Sequence, residues 1–218
     1  MGKHQSKNGY IHCLPISYHQ ELTSHEINLG EFPQVFDPTL LVNNMKFVEV
    51  DGVKCLIYTQ DTQSKEPWPV ALLSQWIRDS HGALLVYSIT SHASFDHITD
   101  YLELVRNVRQ KYTPKKPFVV ALVGNMCDLG HGPDRQVERD EGEKFARTAE
   151  LTGDFKEVSA KTGEGVEEIF YDVVKKIRHL EVQSREKEKL TTAESSAKSK
   201  KGIKEVFYDV ARKVHLRK

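Results

Sequence analysis

Two stretches of the chain are almost wholly apolar, Ala83–Ile89 (ALLVYSI) and Phe118–Gly124 (FVVALVG). Runs of that length without polar alternation predict strands covered on both faces. Upstream, Met45–Val50 alternates, Asp51-Gly52 follows, and Val53–Tyr58 returns, as in a hairpin closed by a two-residue turn. Glu21–Asn28 reads as a short helix. Phe95–Tyr112 carries Phe95, Ile98, Tyr101, Leu102, Val105 and Val108 at helical spacing. Glu141–Leu151 predicts a further helix and Phe155–Val158 a short strand. Val166–Leu180 places Val166, Ile169, Phe170, Val173, Val174 and Ile177 on one helix face. The apolar run at Tyr10, Ile11, Cys13 and Leu14 is expected to stop at Pro15. Strand–helix alternation predicts an α/β fold, a mixed, mostly parallel sheet with helices on both faces. Ligands of such sheets sit outside the carboxyl ends of the strands, so the loops after strands are where the chemistry belongs.

The chain has 218 residues, one domain with additional chain at roughly 100–200 residues per domain. Three scattered cysteines (Cys13, Cys55, Cys127) exclude a disulfide framework and a CxxC zinc site, and point to a reducing compartment. No apolar run approaches the ~20 residues of a membrane-spanning helix, and residues 1–20 hold no secretory apolar core. The formal charge is zero, which argues against a general nucleic-acid binder. That zero hides an asymmetry: from Arg185 to Lys218 there are 11 Lys+Arg against 5 Asp+Glu, a net of +6, so the remainder carries −6. An acidic body with a basic tail points to a membrane or protein partner. The expected division is a divergent segment at 1–21, a domain at 22–181 and a basic tail at 182–218.

Two loops after predicted strands have unusual content. FVVALVG is followed by Asn125-Met126-Cys127-Asp128, and Phe155–Val158 by Ser159-Ala160-Lys161. One structural reading is that Asn125 and Asp128 only cap a turn. Their order, NxxD after one buried strand and SAK after the next strand and before an amphipathic helix, favours a ligand site. With these motifs the stretch from about Phe32 to Leu180 resembles a Ras-type small GTPase, whose NKxD and SAK loops read the base. The resemblance implies that the Asp128 carboxylate accepts both N–H groups of guanine's N1/N2 edge and that the Ala160 backbone N–H donates to guanine O6. The resemblance implies a P-loop NTPase-type fold, GTP or GDP with Mg²⁺ as ligands, and a role in signal transduction. It assigns Asn125, Asp128, Ser159, Ala160 and Lys161 to the guanine pocket and Phe32 to packing on the base. Phe36-Asp37-Pro38-Thr39 is similar to the first switch, which makes Thr39 a Mg²⁺ ligand. Asp61-Thr62 is similar to the start of DxxG, which makes Asp61 the outer Mg²⁺ carboxylate.

The departures are equally specific. The family's phosphate loop, GxxxxGK[ST], wraps phosphates with backbone N–H groups and a lysine, and no such motif occurs in this chain. Counting back from Thr39, the loop is expected at about Leu14–Glu21, which reads Leu-Pro-Ile-Ser-Tyr-His-Gln-Glu, without glycine or lysine. Ser64 stands at the glycine of DxxG, and Lys65 at the glutamine that orients water for attack. A lysine donates but cannot accept a hydrogen bond from water. Met126 stands at the NKxD lysine. Guanine-nucleotide binding is therefore expected to be weakened, and hydrolysis to be very slow or absent, with no catalytic residue assignable. The alternative is a nucleotide-free pseudo-GTPase serving as an interaction module, its phosphate site filled by Tyr18, His19 and Gln20. An ordinary GTPase whose first residues were misassembled would read the same way.

Met1-Gly2-Lys3-His4-Gln5-Ser6 fits the N-myristoylation pattern, with Gly2 the acylated residue. The last residues, Val214–Lys218, hold no C-a-a-X cysteine. Instead, GVEEIFYDVVKKIRHL at 165–180 is echoed by GIKEVFYDVARKVHL at 202–216, across a polar linker. The copy either lies on an anionic membrane as a second anchoring signal, competes with its twin for the sheet, or has no role. The expected partners are guanine nucleotide, protein effectors or regulators at the switch region and an anionic membrane, with no nucleic acid. The expected location is cytoplasmic, at the cytoplasmic face of a membrane.

Overall fold

The computed structural model of the chain describes residues 9–17, 43–60, 69–113 and 117–215. A six-stranded sheet has the order β2-β3-β1-β4-β5-β6. Its strands are β1 (Gly9–Ser17), β2 (Asn43–Val50), β3 (Val53–Gln60), β4 (Gly82–Ser88), β5 (Val119–Asn125) and β6 (Phe155–Glu157). Only β2 runs antiparallel, paired with β3 from Asn43↔Gln60 to Val50↔Val53 across the Asp51-Gly52 turn, where both residues take positive φ (51° and 71°). All seven residues of β4 and of β5 are buried, as their unbroken apolarity requires.

The main departure from expectation is β1. It does not stop before Pro15 but runs on to Ser17. Its first half pairs with β3, Gly9↔Cys55 through Cys13↔Thr59, and its second half with β4, Cys13↔Gly82 through Ser17↔Val86. After the handover at Cys13, Pro15 is paired with Leu84 of β4, and among the described residues β3 pairs no further along β1. Leu14–Ser17, expected within the phosphate loop, is thus sheet backbone. Residues 9–17, expected in a divergent leading segment, form an interior strand of the sheet.

Helices cover both faces. On one lie α1 (Val70–Asp79), α2 (His92–Asp96), α3 (Ile98–Tyr112) and α4 (Arg139–Thr148). Ile77, Leu85, Tyr87, Ile89, Phe95, Ile98, Leu102 and Leu122 belong to one buried cluster there. The helix α1 has no counterpart in the sequence reading. Pro69 supplies its entry, accepting from the N–H groups of Leu72 and Leu73, and Leu73 and Ile77 are its buried residues. The expected Phe95–Tyr112 helix is two helices, broken at His97.

The opposite face takes the first turns of α5 (Val166–His215), as far as Ile177. Val166, Ile169, Phe170, Val173, Val174 and Ile177 are all at most 4% exposed. Gly82 allows this close approach, because a Cβ there would lie 3.2 Å from Ile177 and 2.9 Å from the Val119 carbonyl. The chain divides into two units, residues 1–178 and 179–218. The second unit is helical to His215, so the stretch expected as a polar linker is helix too. Its Lys, Glu and Ala content explains this, since those residues favour helix without a buried face.

Candidate functional site

The carboxyl ends of β5 and β6 bring together five of the predicted residues. Asn125 closes β5 and is 3% exposed, as the register Ser88↔Asn125 at the end of the β4–β5 ladder requires. Its side-chain Oδ1 accepts from the Ala160 backbone N–H at 2.9 Å, tying the first loop to the second. Met126 follows in a left-handed conformation, φ 70° and ψ 32°. That conformation is strained for a residue with a long side chain and is held by its surroundings. It swings the chain into the short 3₁₀ turn Cys127–Leu129, which is anchored by a 2.9 Å bond from the Cys127 N–H to the Val158 carbonyl. The turn presents Asp128, which is exposed.

The Asp128 carboxylate accepts from the Ser159 hydroxyl at 2.7 Å through Oδ1. Ser159 is wholly buried, and its Oγ accepts in turn from the Thr162 N–H at 3.2 Å. The Ser159 N–H donates to the Glu164 carbonyl at 2.9 Å, and its own carbonyl accepts from Gly163 at 2.8 Å. Gly163 and Gly165 take positive φ of 81° and 71° and let the loop close before α5 starts. Lys161 is exposed at its rim. The result is an exposed carboxylate, fixed through one oxygen, with its other oxygen open to a ligand's N–H groups.

The Ala160 N–H, expected to donate to guanine O6, donates in this structure to Asn125 Oδ1, both groups being buried. Phe32, Thr39, Asp61 and Gly2 lie outside the described residues, as do the phosphate-site candidates Tyr18, His19 and Gln20 and the switch residues Ser64 and Lys65. Among the described residues no group of His, Cys, Asp and Glu could hold a metal ion, and no helix is long and apolar enough to cross a membrane.

Two further features support the site. Arg135 reaches Glu157 with two parallel hydrogen bonds, Nη1–Oε1 at 2.8 Å and Nη2–Oε2 at 2.9 Å. It also donates to the carbonyls of Gly130 (3.0 Å) and Val137 (2.9 Å). The loop after Asp128 is thereby clamped to the end of β6, and the hydrogen bonds to Glu157 raise the guanidinium above its ordinary value. The Met126 sulfur, at the family's lysine position, accepts from Ser88 Oγ at 3.2 Å and Thr90 Oγ1 at 3.6 Å. Nothing in the sequence marks Arg135. Glu157 carried a signal, a carboxylate in a strand next to the core, and Ser88 and Thr90 another, hydroxyls closing an apolar run.

Cys127 lies beside Asp128, yet burial pushes its thiol up to about 11, with Glu164 and Asp128 adding to the shift. It is a poor nucleophile there.

Comparison with known proteins agrees with this geometry. The sequence model of the Ras family matches residues 24–179. The chain is 36% identical over 168 residues to Protein ras-2 of Neurospora crassa, covering 70% of this chain and 71% of that protein. It is 34% identical over 173 residues to Ras-like protein 1 of Pyricularia oryzae, covering 73% and 70%. It is 34% identical over 179 residues to Ras-like protein B of Aspergillus fumigatus, covering 73% of each. With NxxD and SAK at adjacent strand ends of a sheet ordered 2-3-1-4-5-6, the chain belongs to the Ras family of small GTPases.

Proposed function

We propose that this protein is a Ras-family signalling protein that keeps the guanine-reading end of the pocket and has lost the phosphate-gripping end. The observation that carries this is the bonded pair of loops, Asp128 to Ser159 and Asn125 to Ala160. It stands beside a sequence with no GxxxxGK[ST] motif after β1 or elsewhere. Guanine is read by the open side of the Asp128 carboxylate, with Phe32 packed on the ring and Lys161 at the rim. Mg²⁺ belongs with the phosphates, and Thr39 and Asp61 are the residues that would hold it.

Losing the cradle removes several charge-assisted hydrogen bonds of about 1.5–3 kcal/mol each, which is orders of magnitude in affinity. GTP hydrolysis is very slow or absent, since Lys65 cannot accept from an attacking water. Protein effectors or regulators engage the hairpin of β2 and β3. There Met45 and Phe47 of the edge strand are 66% and 67% exposed. An acyl chain on Gly2 and the +6 tail hold the protein at the cytoplasmic face of an anionic membrane.

A nucleotide-free interaction module is the second reading, favoured by the engagement of the Ala160 N–H within the protein. Thermal unfolding with GDP, GTP and the adenine nucleotides, each with Mg²⁺, separates the two. A ligand at a hundredfold excess over its dissociation constant stabilises by about 2.7 kcal/mol. A guanine-specific rise in the midpoint supports the first reading. No guanine-specific rise up to tens of millimolar nucleotide, in a cooperatively folded protein, refutes it and leaves the second.

A further inference from the structure

The helix that closes one face of the sheet is written twice in the chain. Aligning 165–177 with 202–214 gives seven identities in thirteen positions (Gly, Glu, Phe, Tyr, Asp, Val, Lys). The first copy is seated on the sheet, and four features hold it there. Val166, Ile169, Phe170, Val173, Val174 and Ile177 are buried. Asp172 pairs with Lys156 at 3.5 Å. Lys176 pairs with Asp154 at 2.6 Å. Gly165 leads into the helix at φ 71°, and a Cβ on it would lie 3.1 Å from the Glu157 carbonyl oxygen, so this entry favours glycine.

The second copy has all four. The buried positions are Ile203, Val206, Phe207, Val210, Ala211 and Val214. Asp209 stands at Asp172, Lys213 at Lys176 and Gly202 at Gly165. Six of the thirteen positions have changed, and none of the changes removes one of these features. Four exchange one apolar residue for another, Lys175 becomes Arg212, and the exposed Glu167 becomes Lys204. Just beyond the thirteen, Arg178, which donates to the Val50 carbonyl, is replaced by His215. A helix that only lay in solvent or on a lipid surface would need the apolar stripe. It would need neither the entry glycine nor charges placed to meet Lys156 and Asp154.

We propose that the two copies are interchangeable, and that the second replaces the first on the same sheet within one chain. In the exchanged state Gly202 follows Glu164 in space, and residues 165–201, 37 in number, form a loop that leaves and returns at that point. Because both ends of the loop meet there, the exchange requires no particular placement of the residues between the copies. Closing such a loop disfavours the exchanged state about two hundredfold. The second stripe is also three carbons smaller, one gained at Ile203 and four lost at Val206, Ala211 and Val214, a further factor of about fifty. The first copy is therefore the resident by about 10⁴-fold, in keeping with its burial. Exchange takes its stripe out of the core, in a loop that starts directly after the Ser159-Ala160-Lys161 turn.

Thermal unfolding of the full chain, with graded lesions in the first copy, tests this. Ile177→Ala, Val173→Ala/Ile177→Ala and Val173→Asp/Ile177→Asp should lower the midpoint in turn. The fall should then level off about 10–20 °C below the parent, where the second copy takes over. In a Val210→Asp/Val214→Asp background the levelling should vanish, and Val173→Asp/Ile177→Asp should no longer unfold cooperatively. Carbodiimide coupling, which joins a paired carboxylate and amine directly, gives the register by mass spectrometry. Asp154 should couple to Lys176 in the parent and to Lys213 in the levelled variant, within a monomer. A midpoint that falls through the series without levelling overturns the proposal, as does levelling that survives Val210→Asp/Val214→Asp. So does a levelled variant in which Asp154 does not couple to Lys213, or couples to it only between two chains.

Discussion

Arg135 is the residue whose loss should damage the site most while touching no ligand. Its side chain is 14% exposed and that of Glu157 7%, so the pair is close to buried. The guanidinium makes two bonds to the carboxylate and two to backbone carbonyls. Arg135→Ala leaves Glu157 with Arg139 Nη1 at 4.0 Å as its remaining cation. Breaking a buried pair from one side costs about 3–5 kcal/mol. The residual exposure and the nearby Arg139 put this case at the low end, about 3 kcal/mol. For a domain of this size that lowers the thermal midpoint by about 6–12 °C. Glu157→Gln should cost less, about 1–2 kcal/mol, since Arg135 keeps its carbonyl acceptors on Gly130 and Val137. Arg135→Met/Glu157→Leu, which leaves no uncompensated charge, should also cost less than Arg135→Ala alone. Urea unfolding of the four proteins, with m-values compared, gives the numbers. An Arg135→Ala cost below about 1 kcal/mol, or a double variant equal to the sum of the singles, would refute the reasoning.

Other consequences are as direct. A Cβ at Gly142 would lie 2.6 Å from both the Tyr87 hydroxyl and Phe155 Cζ, so Gly142→Ala should cost about 1–3 kcal/mol by overpacking. Tyr87→Phe should be neutral or stabilising, because the buried hydroxyl has no partner to lose; chemical denaturation reads both. Cys127, with its thiol near 11, should react with iodoacetamide at pH 8 on the order of a hundredfold more slowly than a free cysteine, as read by mass spectrometry. The hydrogen bond to Asp96 raises His92 above 6.5, helped by the nearby Glu141. Its small contribution to stability is complete below the unfolded value and fades as pH rises through the folded one. An NMR titration should show that raised midpoint, and Asp96→Asn should lower it.

What could be read in the sequence was what a single local rule decides. The β4 and β5 strands are unbroken apolar runs, and the hairpin is dictated by Asp51-Gly52. The first turns of α5 show their buried face as a stripe. What could not be read depends on partners distant in the chain. The length of β1 rests on a change of neighbour at Cys13. The helix α1, which has no counterpart in the sequence reading, starts directly after Pro69. In the site, Asn125, Asp128 and Ser159 were legible as motif residues, because each must stand at a strand end. The engagement of Ala160 by Asn125 was not, since a motif names residues and not the bonds they make before a ligand arrives.

Those bonds decide how nucleotide binding should scale. The NxxD and SAK loops hold one another through Asp128–Ser159, Asn125–Ala160 and Arg135–Glu157. On the proposed reading, what they offer guanine is one charged carboxylate accepting two N–H bonds, about 1.5–3 kcal/mol each. Alone, that corresponds to dissociation constants of roughly several millimolar down to tens of micromolar. On the proposed reading, in which the phosphates gain no cradle, the pocket treats guanosine, GMP, GDP and GTP alike. Inosine lacks the exocyclic amine and should bind about tenfold more weakly than guanosine, one charged hydrogen bond poorer. Thermal midpoints across this series at equal concentration give the slope. A flat series with inosine lower locates the affinity at Asp128. An affinity rising tenfold or more from guanosine to GTP would mean that residues after Ser17 grip phosphate without a glycine-rich loop, and the reading of that end of the pocket would be wrong.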